Sequence, residues 1–469
     1  MHVPDGRRDF LKQLAVAAGG FWVMPELPPA GAHPSRVDIA AQPGVAPLAV
    51  APRRPDAFTR LPLKDVHLGG RLGRAIDLCV RNRVMAQDGE HLVEPFRRRA
   101  ETNCWSSEFW GKWFTSAVAA QRYSGDPKLL ATVQQSARSL MATQTADGYI
   151  GTYSPENRLK TWDVWGRKYT LLGLLAYHDL TGDRAALASA RRLADHLMSE
   201  VGPGRASIVK NGAYRGMASS SVLEPIVLLY NRTGDARYLA FAEHIVAQWE
   251  TPDGPRLISK ALAGVPVAER FPPPAKWFTW ENGQKAYEMM SCYEGLLELY
   301  RVTGKPEYLT AVVKTYENIR DTEINIAGSG ASMECWYGGA AKQTTQARHM
   351  METCVTMTWM KLGQNLLRLT GDPRIVDDIE RSAYNALLGS MLPDGSSFAK
   401  YSPLAGYRAL GEIQCESGLN CCSANGPRGM LLLPETAVMA TADGIVVNLY
   451  GPSSAVSCWS RIPRRRRRG

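Results

Sequence analysis

The chain has 469 residues, 45% hydrophobic and 21% charged, which suits a soluble globular protein with one large domain and material for a smaller one. Its formal charge is +10, but Arg461 and Arg464 to Arg468 in the closing "SRIPRRRRRG" supply six of those charges and leave the rest near +4. No basic face follows for the folded body, so a nucleic-acid partner is not expected.

The first stretch, "GRRDFLKQLAVAAGGFWVMP", sets Arg7 and Arg8 before a modest apolar run and a small-residue "AGA" at 30–32. That arrangement predicts a twin-arginine export signal over 1–32, cleaved after Ala32, and so a periplasmic or secreted protein. The apolar run is too short for a membrane span. Residues 33–57, rich in Pro and Ala, read as a linker.

From residue 58 one motif recurs five times: "RYSGDPKLL", "YHDLTGDRAAL", "YNRTGDARYL", "YRVTGKPEYL" and "LRLTGDPRIV". Each sits between two apolar helical stretches. Gly125, Gly182, Gly234, Gly304 and Gly371 suit helix ends that need positive φ. Asp126, Asp183, Asp235 and Asp372 suit the following N-caps, with Pro127, Pro306 and Pro373 in the first turn. The glycines lie 57, 52, 70 and 67 residues apart, room for two helices and a loop each. Repeated helical hairpins mean a solenoid or a closed α/α toroid, and the uneven loop lengths favour the toroid, over 58–435. Such rings collect long loops, and a site, at one end. After residue 435 the pattern turns to alternation, and "AVMATADGIVVNLYGPSSA" predicts a β-hairpin turning at Asp443-Gly444. Residues 436–456 thus read as the start of a β-domain that is cut short, followed by an irregular Arg-rich tail over 457–469.

Nine cysteines (79, 104, 292, 335, 354, 415, 421, 422 and 458) are odd in number for an exported protein with an ample core, and a disulfide scaffold is not expected. Cys421 and Cys422 are adjacent in "GLNCCSANGPRG". They are either buried fillers or face something that wants two thiolates. A carboxylate and three thiolates from Glu352, Cys354, Cys421 and Cys422 would make a closed tetrahedral zinc (Zn2+) shell. The E-x-C plus C-C spacing is unusual for zinc, so core packing stays open on the residues alone. The glycine-rich "GSGASMECWYGG" at 328–339 adds Glu334 and Trp336.

The segments "METCVTMTWMKLGQNLLRLTGD", "IERSAYNALLGSMLPDGSSFAKYSPL" and "CCSANGPRG", in this order, resemble glycoside hydrolase family 127, the β-L-arabinofuranosidase family and its relatives. The resemblance runs from about residue 58 to about 456. It implies a mainly α protein, an (α/α)6 barrel followed by β-sandwich domains, here C-terminally truncated. It implies zinc held by Glu352, Cys354, Cys421 and Cys422, with Cys421 as nucleophile and Glu334 as acid/base of a retaining glycosidase. The substrate would be an oligosaccharide or glycoside, cleaved at non-reducing-end sugars of plant or microbial glycans.

The histidines with which the arabinofuranosidases surround the sugar are missing. The matching positions fall near Trp162 or Tyr169, near Ser219, near Lys285, and at Leu419 or Asn420. Of Trp105, Trp110, Trp162, Trp165, Trp277, Trp280 and Trp336, the last is the candidate for substrate binding by stacking on a sugar face, since it neighbours Glu334. Asn425 and Arg428 are expected to hold the turn that carries the thiols. Two alternatives compete. One is another (α/α)-barrel carbohydrate enzyme with structural cysteines; the other is a truncated, non-catalytic sugar-binding protein.

Overall fold

A computed structural model describes residues 48–272, 284–345 and 347–455. The expected export signal, most of the linker, Trp277, Trp280, Cys458 and the arginine tail lie outside them. Two short strands, β1 (Thr59–Arg60) and β2 (Val66–Leu68), precede twelve principal helices. These are α1 (Gly70–Cys79), α2 (Ser106–Ser124), α3 (Pro127–Met141), α4 (Asp163–Thr181), α5 (Arg184–Glu200) and α6 (Leu223–Thr233). Then come α7 (Ala236–Trp249), α8 (Ala286–Thr303), α9 (Pro306–Thr322), α10 (Thr353–Thr370), α11 (Arg374–Ser382) and α12 (Cys421–Ala437).

The even-numbered helices form an inner ring: α2 packs on α4, α4 on α6, α6 on α8, α8 on α10, α10 on α12, and α12 back on α2. The odd-numbered helices lie outside, α3 against α2, α5 against α4, and so on to α1 against α12. The fold is a mainly helical (α/α)6 barrel, as expected. Inner and outer helices differ in sequence for a physical reason. Inner helices are covered on both sides, so nearly every residue of α4 and α8 is buried, while α3 and α9 bury one stripe. Glycine lets inner helices approach closely. A Cβ on Gly111 would sit 2.5 Å from the Tyr169 Cβ, and one on Gly173 would sit 2.4 Å from the Trp110 ring.

The five recurring turns do what their residues require. All five glycines end inner helices with φ between 67° and 73°. Asp126 and Asp183 cap the next helix by accepting backbone N–H groups, and Asp235 and Asp372 accept one each. These short turns occupy one end of the ring. The opposite end, at the N-termini of the inner helices, receives long connections such as 323–352 and 383–420.

The expected hairpin is present: β5 (Val438–Ala440) pairs antiparallel with β6 (Ile445–Val447). Its neighbours come from the start of the described chain, because β1 pairs with β5, and β7 (Ser453–Ala455) pairs with β2, which packs against α12. Part of the predicted linker is also fixed. The backbone N–H groups of Val50, Arg54 and Phe58 donate to carbonyls of Asn231, Arg301 and Arg368, and Asp56 is ion-paired to Arg301 at 2.8 Å and to Arg368. Residues 48–58 therefore run across the turn ends of α6, α8 and α10 as a strap. Composition concealed this, since the strap is held by its backbone and one aspartate.

Candidate active site

The long-loop end gathers the chemistry because helix N-termini meet there. Glu352 immediately precedes α10 and Cys354 is its second residue; Cys421 and Cys422 open α12, capped by Asn420 Oδ1, which accepts from Ser423 N at 3.0 Å. Unpaired N–H groups and the helix dipole at such ends favour anionic sulfur. The segment 399–401 touches both helix starts, and Cys422 Sγ lies 3.8 Å from Lys400 O. Thr353 N donates to Lys400 O at 3.1 Å, and Thr353 Oγ1 donates to Ala399 O at 2.7 Å.

The four predicted ligands converge, with one donor atom from each lying within 4.8 Å of all the others. Sγ of Cys422 stands 3.5 Å from Sγ of Cys354, 4.0 Å from Sγ of Cys421, and 3.6 Å from Oε1 of Glu352, which is also 3.6 Å from Sγ of Cys421. A tetrahedral zinc with Zn–S bonds of about 2.3 Å sets its sulfurs about 3.8 Å apart, so the donors already match such a shell. Glu352 Oε2 is buried without a hydrogen-bond partner. Three thiols and a carboxyl group this close, with one oxygen orphaned, are the complement of a cation, and the residues fit zinc. Burial first, then the Glu334 and Cys421 charges, push the Glu352 carboxyl well above its usual range. Burial also raises the Cys354 thiol, yet hydrogen bonds from Cys421 and Cys422 and the Lys112 charge outweigh it and hold Cys354 at about 6. Cys421 and Cys422 are pushed up, Cys421 mainly by the bond it gives to Cys354 and Cys422 mainly by burial. Cys421 is 8% exposed, against 1% for Cys354 and 0% for Cys422. It is the thiol that opens outward.

Beneath the sulfurs lies a lysine that sequence reasoning missed. Lys112, fully buried on α2, points Nζ at Cys354 Sγ from 3.4 Å, pairs with Glu108 one turn earlier, and lies 4.6 Å from the Tyr287 ring centre. Glu108 also accepts from Trp165 Nε1. Burial works against the Lys112 charge, but Cys354 and Glu108 outweigh it and raise its pKa. Only an i, i+4 Glu–Lys pair in an otherwise apolar inner helix gave any sign of it.

Glu334 lies near enough to the cluster for its charge to act on Glu352. Strand β3 (Gln284–Lys285) pairs with β4 (Cys335–Trp336), and this places Lys285 Nζ against Glu334 Oε2. Tyr401 donates to Glu334 Oε1 at 3.3 Å, and its own backbone bridges to Glu352. Burial alone would raise the Glu334 carboxyl, but Lys285 and then Lys400 and Tyr401 overcome it and hold it below its ordinary value. Met333, Glu334 and Ala331 all have positive φ, between 50° and 69°, strain of a kind concentrated at functional sites.

Three expectations need correction. The "NGPRG" run is no turn: Asn425 to Gly429 lie inside α12, where Arg428 Nη1 donates to Asn425 Oδ1 at 2.8 Å. The residues punctuate turns in isolation, but a fully buried inner helix overrides that propensity. Cys104 and Cys415 form a disulfide that ties the start of α2 to the loop before α12, so one crosslink exists where no scaffold was expected. Gln414 in that loop accepts from Cys421 N at 3.0 Å. Trp336 is 1% exposed and offers no open face for a sugar. Half-buried Trp105, Trp162 and Tyr214 form an edge-to-face row instead, with centroids 5.5 and 5.3 Å apart. Lys285 Nζ lies 4.4 Å from the Tyr214 ring centre.

A family model described as the β-L-arabinofuranosidase, GH127 catalytic domain matches residues 76–435. The chain belongs to this GH127 family. A curated relative, the non-reducing end β-L-arabinofuranosidase of Bifidobacterium longum subsp. longum, is 21% identical over 312 residues, covering 61% of this chain and 46% of its own. Among solved structures, a GH127 β-arabinofuranosidase superposes with a TM-score of 0.66 at 20% identity, covering 85% of this chain and 65% of that one. A GH127 β-L-arabinofuranosidase from Geobacillus stearothermophilus T6 gives 0.63 at 19%, covering 83% and 68%. The chain thus spans about half the length of the curated relative and two thirds of these structures; the likeness to the structures is one of fold. No helix among the described residues is long and apolar enough to cross a membrane.

Proposed function

We propose that this GH127 protein is an exported, zinc-dependent retaining glycoside hydrolase that removes non-reducing-end sugars from plant or microbial glycans. The observation that carries the reading is the four-donor cluster with Cys421 as its most exposed thiol, beside Lys400 and Tyr401, which feel the charges of both Cys421 and Glu334. Glu352, Cys354, Cys421 and Cys422 would hold the metal. When bound, zinc keeps the sulfurs ionised at neutral pH and disperses their charge.

In the first half-reaction Cys421 Sγ attacks the anomeric carbon and the bond to the leaving oxygen breaks. Glu334 delivers its proton to that oxygen, leaving a glycosyl thioether on Cys421. In the second, the Glu334 carboxylate takes a proton from water as the water oxygen displaces sulfur from the same carbon. Two inversions retain the anomeric configuration. Tyr401 steadies the carboxyl by its hydrogen bond, and Lys285 sets the pH above which the acid form is lost. Lys112 and Glu108 orient Cys354 beneath the reacting centre.

The test is a Cys421→Ala protein assayed beside wild type on a panel of aryl glycosides. Turnover should fall at least about 10³-fold, the scale for losing a nucleophile, in a protein whose circular dichroism shows it folded. Undiminished turnover by a folded Cys421→Ala protein rules out the thiolate mechanism.

A further inference from the structure

Arg215, Asp253, Gly254, Arg256, Lys260 and Phe271 line a cavity of about 280 Å³ that no part of the mechanism uses. Two covalent neighbours join it to the site. Arg215 follows Tyr214, whose ring faces Lys285. On the other wall, Phe271 N donates to Gln284 Oε1 at 2.9 Å and Gln284 Nε2 donates back to Phe271 O at 2.8 Å. Gln284 is the partner of Lys285 in β3, so one short strand braces both the cavity wall and the residue paired with Glu334.

The cavity's lining is mainly cationic, with Arg215, Arg256 and Lys260 against Asp253. The Arg215 guanidinium lies 4.8 Å and Lys260 Nζ 4.6 Å from the centre of the same Phe271 ring. The nearby acids are engaged elsewhere. Asp253 pairs with Lys210 at 2.9 Å, and Glu250 accepts from Ile258 N and Ser259 N at 2.9 and 3.2 Å. Lys260 donates to the Arg270 carbonyl. Burial and then the charges of Arg256, Arg215 and Arg270 depress the Lys260 pKa, which reflects how closely the cations crowd. Tyr214, Arg215 and Arg256 all hold positive φ, between 52° and 56°. Arg215 and Arg256 are both exposed, so they line the cavity while still reaching solvent.

We propose that the cavity is an anion-recognising subsite that takes the carboxylate of a uronosyl residue neighbouring the cleaved sugar on the glycan. Just under the range of about 300–1,000 Å³ typical of ligand pockets, it suits a single sugar unit. Arginine forks match a carboxylate two bonds at a time, and Lys260 adds a third cationic donor. The proposal rests on the reading of Cys421 and Glu334 as a glycosidase centre.

Calorimetric binding of tri-galacturonate, its fully methyl-esterified form and a sulfated galactose trisaccharide to the full chain tests it. Wild type should bind the free acid about tenfold or more tightly than the ester, as expected for lost charge-assisted hydrogen bonds. An Arg215→Ala/Arg256→Ala protein should lose that preference, while Arg256→Lys, which keeps the charge but not the two-bond fork, should lose part of it, and melting temperatures near that of wild type show that both proteins fold. Equal binding of acid and ester, an acid preference that survives the double variant, or tighter binding of the sulfate ester than of the uronate each overturns the proposal. Cys421→Ala protein separates the two readings: it should bind as wild type does even if hydrolysis proves to run by another route.

Discussion

Lys112 offers the sharpest physical test of how the site is built. Lys112→Met keeps the length and apolar stem of the side chain but deletes the charge. Glu108 is then left as a carboxylate in a site where its own exposure is 6% and that of its lost partner was 0%. Breaking one side of a buried ion pair costs about 3–5 kcal/mol, because the remaining charge stays desolvated. The Trp165 Nε1 bond to Glu108 offsets a fraction of this. Urea denaturation should therefore show a stability loss of about 3 kcal/mol or more. Lys112→Met/Glu108→Gln removes the orphaned charge and should restore most of it. Metal affinity should behave differently. Both proteins lack the donor 3.4 Å from Cys354, and loss of an outer partner of a metal ligand typically weakens binding about 10–100-fold. Chelator competition would read this directly. A single variant as stable as wild type, or a double variant with wild-type zinc affinity, refutes the reasoning.

Two further outcomes follow from the same geometry. Lys285 favours the ionised form of Glu334, so Lys285→Met should raise the Glu334 pKa and move the basic limb of the kcat/KM profile to higher pH, by about 1–3 units for loss of an adjacent opposite charge; an unmoved or lowered limb counts against Glu334 as the acid. Cys104→Ser/Cys415→Ser should lower stability by about 2–5 kcal/mol. It should also slow turnover, since Gln414 beside Cys415 braces the Cys421 backbone, but should leave the zinc content unchanged; loss of metal in that variant would show that the loop, not the helix starts, assembles the site.

The hairpin turns were legible because their chemistry is local. A glycine forced to positive φ and an aspartate two residues before an N–H carry their own explanation, and the ring follows from repeating them. The four-donor cluster was only partly legible: Glu352 and Cys354 precede an apolar helical run, but Cys421 and Cys422 read as part of a turn, and the family resemblance, not local chemistry, joined the two pairs. Lys112 was not, because Cys354 is 242 residues away in sequence and the i, i+4 pair with Glu108 usually marks a solvated face. Lys285 was noted as a departure from the family's histidines, yet its pairing with Glu334 depends on two-residue strands too short to predict. The Asn425–Gly429 run misled because propensity describes a free segment, whereas α12 is enclosed on both sides. Trp336 misled because adjacency to Glu334 says nothing of which way a ring faces on a buried strand.

The central claim is that these four donors hold a metal, and metal content per chain in wild type and Cys354→Ser measures it most directly. Elemental analysis of purified protein should find about one zinc per wild-type chain and a large loss in Cys354→Ser, with glycosidase turnover falling in step. Active wild-type protein without bound metal, or a Cys354→Ser protein that keeps its zinc in full, would contradict the account.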